Sequence, residues 1–434
     1  MPPKPGLAPK GTSPEAPAVI PEFGWLRSVV TGRFFLRAGL YGLVAIGLSL
    51  VASPIGALFP WLGDWVDEPS IRDLLEVIAQ TMLLVATFSL GTMVAAYTAA
   101  SNSASPRATK LLIDDPISQN VISTFVGAFV FAIIGLVGLS LGVYGDDGRV
   151  VLLFASGIVV LLVIVTLFGW VDYLANLLRL EAVLNKVEAA AAAALEAAAR
   201  APHLGARPSG PEPSGGHGIR VTRTGYLTRI DLDRLERIAA ERGGRIRLAC
   251  LPGALVDRSV PVAHAAFHPT REDIDALSGA FTVAAGRSID QDPRYGLVVL
   301  TEVASRALSS GVNDAGTAIG ILSRHQRLLG LWAEGPPEAP ELCYPNLEAP
   351  GLDVADLCED AFGPLARDGA GTVEVGIRLQ KTLAVLAGLG RRDLARAAVT
   401  QSERALAQAC SALVLESDRE EIARLARRVR EAAS

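Results

Sequence analysis

Long apolar runs without any charged side chain fill most of the first 171 positions. Four such runs are present, at Ala38–Gly63, Val77–Ser105, Ile117–Gly145 and Val150–Val171. An apolar helix of about 20 residues crosses the hydrocarbon core of a bilayer and satisfies its own backbone hydrogen bonds. The pattern therefore predicts an α-helical integral membrane protein with four transmembrane helices. The lipid bilayer is accordingly one of its predicted partners.

Basic residues mark one side of the predicted spans. Lysines and arginines precede the first run, lie between the second and third runs and follow the fourth, whereas the other two connections are mainly acidic. Because Lys and Arg concentrate in cytoplasmic loops, both termini are expected in the cytoplasm. The protein is thus predicted to be a multi-pass protein of a plasma membrane.

Changes in composition and periodicity divide the chain into six predicted segments. They are a disordered N-terminal segment 1–33, a four-helix transmembrane domain 34–175, a helical stalk 176–201, a linker 202–218, a small strand-rich α/β module 219–268 and a helical cytoplasmic domain 269–434. The stalk is an alanine-rich run of strong helix formers, and the linker is crowded with Pro and Gly. Alternating apolar residues indicate the strands, and a helical period returns after Arg271.

The second and third spans each carry one face of small and polar residues. On the second span these residues are Gln80, Thr87, Gly91, Thr98 and Asn102, and on the third they begin with Asn120, Thr124 and Gly127. Residues at these spacings share one side of a helix. One interpretation is a polar path for an ion or small solute. The other is close helix packing, because small residues let transmembrane backbones approach each other.

The four spans contain no Asp, Glu, Lys, Arg or His. Carriers that couple transport to protons or ions usually need a buried ionisable group, so the sequence favours a passive pore over a secondary transporter. Four spans enclose little space, and a pore would have to form between the protomers of a homo-oligomer. With 40 basic and 45 acidic residues, the chain also lacks the basic footprint of a nucleic-acid-binding protein.

A second candidate site lies in the cytoplasmic part, around a predicted helix-turn-helix. Its residues are Asp292, Arg306, Asn313 and Asp314. They could bind a ligand, but Asp and Asn at a helix start are also typical N-caps, and Arg near a helix C-terminus complements the dipole. Asp292 with Pro293, and Asn313 or Asp314, are accordingly predicted to begin two helices.

The sequence predicts no enzymatic activity and no cofactor or metal. It has no nucleophile elbow, Walker A loop or dinucleotide fingerprint. His264 and His268 are followed by Pro269 and preceded by strand-like residues, which disfavours metal ligation. The α/β module is similar to half of a biotinyl or lipoyl barrel, but no lysine lies between Lys186 and Lys381 to carry such a group. The four scattered cysteines are expected to be free thiols.

Several motifs together resemble a bacterial family of predicted membrane proteins, domain of unknown function twenty-two fifty-four. They are TFSLGTMVAAYTAASNSASPR, ISTFVGAFVFAIIG, TRTGYLTRID, PGALV and DQDPRYGLVVLTEVASRALSSGVNDAGTA. The resemblance covers roughly residues 30–430 and implies the bacterial inner membrane, but no established activity. Two prolines usual in that family are replaced by Ser310 and Ala315, beside Asn313 and Asp314.

Two functions remain open from the sequence. The first is a homo-oligomeric channel or pore whose second and third spans surround an axis, with the cytoplasmic domain as a gating or assembly platform. The alternative is a membrane-anchored sensor or scaffold whose cytoplasmic domain binds a ligand or partner. An anchoring role would make the polar face of the spans dispensable, whereas a conducting role would not.

Overall fold

Two compact units make up the chain, Met1–Val94 with Asp115–Leu174 and Ala95–Asp114 with Ala175–Ser434. A computed structural model describes residues 39–40, 43–44, 46–47, 67–103, 105–108, 116–177, 180–210, 216–335 and 342–434. The predicted N-terminal segment 1–33 and most of the predicted first span lie outside the described residues. The six described residues within that span are helical.

Three long helices hold the candidate membrane spans of the described residues. They are α1 (Glu68–Ser103), α2 (Pro116–Ser140) and α3 (Gly145–Leu177). Each contains a stretch long and apolar enough to cross a membrane, at Glu68–Ala99, Asn120–Ser140 and Gly148–Leu174. The predicted second, third and fourth spans are therefore helices, although α1 begins at Glu68, well before the apolar run that starts at Val77.

Close packing inside the first unit depends on glycines of α2. A Cβ at Gly135 would lie 3.1 Å from the side chain of Leu75 on α1, and one at Gly138 would lie 2.7 Å from the Tyr144 ring. Near the starts of α1 and α3, Glu68 accepts hydrogen bonds from Arg72 at 3.2 Å and Arg149 at 2.7 Å. Glycine thus gives α2 the room for close van der Waals contact that stabilises helix pairs in lipid.

The second unit combines two small sheets with a bundle of helices. Its helices are α4 (Leu180–Arg200), α5 (Leu232–Glu241), α6 (Arg271–Ser278), α7 (Pro293–Ala307), α8 (Ala315–Glu334), α9 (Val354–Asp368), α10 (Val373–Ala387), α11 (Arg392–Ala412) and α12 (Glu416–Ala432). Its strands are β1 (Ala206–Pro208), β2 (His217–Ile219), β3 (Gly225–Ile230), β4 (Ile246–Leu248), β5 (Leu255–Val256), β6 (Ala263–Ala265), β7 (Phe281–Ala284) and β8 (Tyr344–Ala349).

The strands form a five-stranded sheet in the order β1-β8-β4-β6-β2 and a three-stranded sheet in the order β5-β3-β7. Strand β8 is parallel to both β1 and β4, and the other pairs are antiparallel. A core of apolar side chains, including Leu227, Leu235 and Ile246, fills this part of the unit. The α/β module and the following helical bundle have the fold class expected from the sequence.

Strand pairing extends beyond the predicted limits of the α/β module 219–268. The predicted linker 202–218 contains a 3-10 helix at Pro202–Gly205, strand β1 and the start of β2, and the predicted helical segment 269–434 contributes β7 and β8. Strands β1 and β2 have three residues each, which is too few for an alternating pattern to be recognised. Their partners are distant in sequence, so only the tertiary structure selects them.

Helix α4, predicted as a stalk, packs into the second unit along its length. Its buried residues include Val183, Val187 and Leu195. Gly296 on α7 faces Ala191 so closely that a Cβ at Gly296 would lie 2.4 Å from the Ala191 Cβ. Arg324 on α8 is buried and forms ion pairs with Glu181 and Glu188 of α4. The alanine-rich sequence therefore allows close helix contact within the second unit.

Replacing Gly296 with alanine should destabilise the second unit, because the new methyl group overlaps Ala191. Overpacking of this kind costs about 1–3 kcal/mol. The matched control is Gly320→Ala on α8, where a Cβ meets nothing within 4 Å. The control should leave stability unchanged or raise it by up to about 1 kcal/mol through helix propensity. Chemical unfolding of the full chain in detergent measures both, and equal midpoints for the two variants would contradict the close crossing.

Candidate functional site

The small and polar face of the second span lies on the outside of α1. Gln80, Thr87, Gly91 and Thr98 are all exposed, and a Cβ at Gly91 would meet nothing within 4 Å. The Thr87 hydroxyl donates to the carbonyl oxygens of its own helix, at 3.0 Å to Leu83 and 2.9 Å to Leu84. The side chain of Asn102 is not among those that the structure describes. Within the described part of the chain this face of α1 is thus not used for close packing at Gly91.

The corresponding face of the third span turns partly inward. Asn120 is exposed, Thr124 is half-buried and Gly127 is buried. The Thr124 hydroxyl donates to the Asn120 carbonyl oxygen at 2.9 Å, so its hydrogen bond is satisfied within the helix. Burial of Gly127 fits the packing interpretation better than the path interpretation. The two predicted faces therefore differ, with α1 presenting its residues outward and α2 using Gly127 inside.

Helix α7 separates Asp292 from the other three residues of the predicted cytoplasmic cluster. Asp292 precedes α7, whereas Arg306 lies at its C-terminal end and Asn313 and Asp314 follow it. Fifteen helical residues span about 20 Å, so Asp292 lies far from the other three residues and the four do not form one site. Asp314 caps α8 and accepts hydrogen bonds from the Thr317 backbone at 3.0 Å and hydroxyl at 2.6 Å. These hydrogen bonds lower the pKa of Asp314, and its geometry is that of an N-cap.

Asp292 is the one member of the cluster that lies in a buried ionic site. Its side chain is about 1% exposed, and it accepts hydrogen bonds from Arg287 at 2.7 Å and 3.1 Å and from the Tyr295 backbone at 3.3 Å. The predicted N-cap role is confirmed. Burial raises the pKa of the Asp292 carboxyl, although the Arg287 guanidinium opposes that shift.

The turn at Gly253 lies very close to the Asp292 carboxylate. Gly253 has a φ of +97°, and a Cβ there would lie 2.3 Å from the Asp292 Oδ2. Glycine is required for both reasons, because an L side chain is strained at this φ and would overlap the carboxylate. The Pro252-Gly253 turn and the start of α7 are therefore tightly coupled.

A cavity of about 340 Å³, here called the polar cleft, opens beside Asp292. It is lined by charged residues, namely Arg287, Asp292, Arg294, Asp353 and Asp356, and by the turns at 251–254 and 350–352. Arg294 pairs with Asp356 and, through its Nε, with Asp360 at 2.7 Å. These opposite charges nearly balance, so the polar cleft has no strong preference for an anion or a cation.

A larger cavity of about 680 Å³, here called the apolar cavity, shares the 251–252 and 350–352 turns with the polar cleft. Alanines at the end of α4 form one wall, and Leu232, Leu352 and Trp332 contribute further apolar surface. The Arg391 guanidinium lies 3.7 Å from the centroid of the Trp332 ring. This volume lies within the range of about 300–1,000 Å³ that is typical of small-molecule sites.

The connection between the second and third spans contacts the middle of α7. Arg107, in the short helical segment 106–108, forms an ion pair with Glu302. The Arg107 side chain is 60% exposed, and exposed pairs contribute only about 0.2–1 kcal/mol. The contact is therefore weak enough to form and break without unfolding the chain.

Several residues of this site were not predicted from the sequence. Gly253 lies in the PGALV motif of the sequence, but its proximity to Asp292 depends on residues far apart in the chain. Arg287 and Glu302 occupy ordinary positions near or on a helix, where charged residues are common. Their partners are set by tertiary contacts, so no local pattern would have identified them.

Removing the two capping carboxylates should have unequal effects. Asp314→Ala removes an exposed cap and should lower the free energy of unfolding by about 1 kcal/mol. Asp292→Ala also leaves Arg287 without its carboxylate in a largely buried position, so a loss of about 2–4 kcal/mol is expected. Chemical unfolding of each full-length variant makes the comparison, and equal losses would show that the Arg287–Asp292 pair adds nothing beyond the cap.

Comparison with known proteins gives one match. The family model described as Predicted membrane protein (DUF2254) matches residues 31–385, which include the three candidate spans, both sheets and Asp292. No curated protein and no solved structure matches the chain. The resemblance predicted from the sequence motifs is confirmed by this match.

Proposed function

This chain belongs to the family described as Predicted membrane protein (DUF2254), and from that premise we propose that it is a ligand-responsive membrane protein. In this proposal the second unit lies in the cytoplasm of a bacterial cell, binds a small molecule beside Asp292 and changes the state of the membrane spans. The role is binding and signalling rather than catalysis. The basic residues flanking the spans support the cytoplasmic orientation.

The observation that carries the proposal is that α7 borders the proposed ligand site at its start and contacts the connection between two spans farther along. At its start Asp292 and Pro293 border the polar cleft and the apolar cavity, and farther along Glu302 binds Arg107 in the connection between two spans. Glu302 lies nine positions after Pro293 on this helix, about 14 Å along the axis. Because helices can shift as rigid elements, we expect a displacement at Asp292 to be transmitted to Glu302.

The test uses Gly253→Ala, which pushes the Asp292 carboxylate without any knowledge of the ligand. We expect the displaced start of α7 to weaken the Arg107–Glu302 contact. Hydrogen–deuterium exchange of the full chain in nanodiscs should then be faster by about threefold or more in the peptide that covers residues 105–108.

The matched control is Gly286→Ala, because a Cβ at Gly286 meets nothing within 4 Å. Its exchange at residues 105–108 should equal that of the unmodified protein. If Gly253→Ala changes exchange only around residues 251–254 and 287–295, the start of α7 is not coupled to the connection between the spans, and the proposal fails.

A homo-oligomeric pore is the second candidate function, and the outward polar face of α1 favours it. A glutamine that faces hydrocarbon is unfavourable, so Gln80 is better accommodated against water or another protein surface. In an oligomer with α1 around the axis, Gln80, Thr87, Gly91 and Thr98 would line the path. The cytoplasmic unit would then act as the gate.

Flux through reconstituted proteoliposomes tests the pore. Gln80→Leu should lower ion or solute flux by about tenfold, because it replaces a polar group on the proposed path with an apolar one. Thr81→Leu is the control, since Thr81 is also exposed but lies about 100° away around the helix. No flux above empty liposomes at any voltage or membrane tension, or equal loss in the two variants, would exclude a pore lined by this face.

A further inference from the structure

We propose that the apolar cavity binds an organic monoanion with a flat, apolar body, such as an aromatic carboxylate. The inference rests on the proposed ligand-responsive function and names the chemical class of its ligand. Three independent features of the cavity carry it, namely its lining, the Trp332–Arg391 pair and a strained turn in its wall.

The lining favours an apolar body. Ala194, Ala197, Ala198 and Ala201 present only methyl groups on one side, and Leu232, Leu251 and Leu352 add larger apolar side chains. Burial of a ligand's apolar surface against these side chains is favourable, because it removes that surface from water. Few polar groups line the cavity, as is typical of sites that take mainly apolar molecules and orient them with one or two hydrogen bonds.

In this proposal the guanidinium of Arg391 binds the anionic group of the ligand. Its Nε and Nη2 donate to Asp393 at 3.0–3.2 Å, whereas its Nη1 has no acceptor among the described residues. The guanidinium plane is held 3.7 Å from the Trp332 ring centroid, which limits its freedom before a ligand arrives. A planar carboxylate can therefore accept from Nη1 while its ring lies along the apolar wall.

A single negative charge is favoured over two. One carboxylate, Asp290, also lines the cavity, and it accepts a hydrogen bond from the Ser288 hydroxyl at 2.8 Å. Because Asp393 already offsets part of the charge of Arg391, a second anionic group on the ligand would face Asp290 without a matching cation. The cavity is thus suited to a monoanion.

The wall next to α4 contains an unusual backbone segment. His203 and Leu204 both have left-handed conformations, with φ of 54° and 59°, and Gly205 follows with φ of 75°. Left-handed conformations are strained for residues with side chains, and such strain clusters at ligand sites. His203 Nδ1 lies 3.0 Å from the Ala349 carbonyl oxygen, which only accepts, so Nδ1 carries the proton and Nε2 is left for a second polar contact.

The binding test uses 2-naphthoate as the probe and the full chain in nanodiscs. Isothermal titration should detect saturable binding to the unmodified protein. Arg391→Gln should weaken that binding by about tenfold or more, because it removes the guanidinium donor. The matched control is Arg392→Gln, the neighbouring exposed arginine that does not line the cavity, and it should bind as the unmodified protein does.

Two further comparisons separate the parts of the proposal. Ala198→Phe places a ring inside the cavity and should abolish binding, whereas Ala193→Phe, on the exposed face of α4, should not. The neutral analogue 2-naphthamide should bind about tenfold or more weakly than 2-naphthoate. Normal thermal unfolding of Ala198→Phe would establish that lost binding reflects a filled cavity and not an unfolded chain.

Absence of saturable 2-naphthoate binding overturns the proposal, as does binding that is unaffected by both Arg391→Gln and Ala198→Phe. Equal affinities for the acid and the amide would overturn the assignment of an anion. These results are distinct from failure of the proposed function. If Gly253→Ala alters exchange at residues 105–108 while 2-naphthoate does not bind, the coupling stands and the ligand class is wrong.

Discussion

The close crossing of α4 and α7 is the constraint on which the second unit depends. Ala191 and Gly296 bring the two backbones together at a distance that no larger side chain at Gly296 would allow. Arg324, buried on α8, also holds α4 through ion pairs with Glu181 and Glu188. Helix α4 is therefore held within the second unit by contacts with both α7 and α8.

The same crossing positions the features that bear on function. The end of α4 forms a wall of the apolar cavity, and α7 begins at the polar cleft and carries Glu302 to Arg107. The interactions at these points differ in strength. The helix crossing and the buried Arg287–Asp292 pair are costly to break, whereas the exposed Arg107–Glu302 pair is not. In the proposed function, the Arg107–Glu302 pair is therefore the contact that breaks and forms again, while the interactions within the second unit persist.

Sequence patterns predicted the elements of this structure better than their contacts. Apolar length identified the three described spans, and the Asp-Pro and Asn-Asp pairs correctly marked the starts of α7 and α8, because capping acts within one turn of helix. The alanine-rich run of α4 was correctly predicted as helix, but its burial depends on Gly296, more than 100 positions away. Asp292 was correctly predicted as an N-cap. Its ion pair with Arg287 was not predicted, and the cavities form only where turns distant in sequence meet.

The measurement that tests this coupling most directly is a charge-reversal cycle at Arg107 and Glu302, read by hydrogen–deuterium exchange at residues 105–108 in the full chain. Each single change, Arg107→Glu or Glu302→Arg, brings like charges together and should raise the exchange rate. The double change restores opposite charges and should return the rate to that of the unmodified protein. If the double variant exchanges as fast as the single variants, α7 does not hold the connection between the spans through this pair.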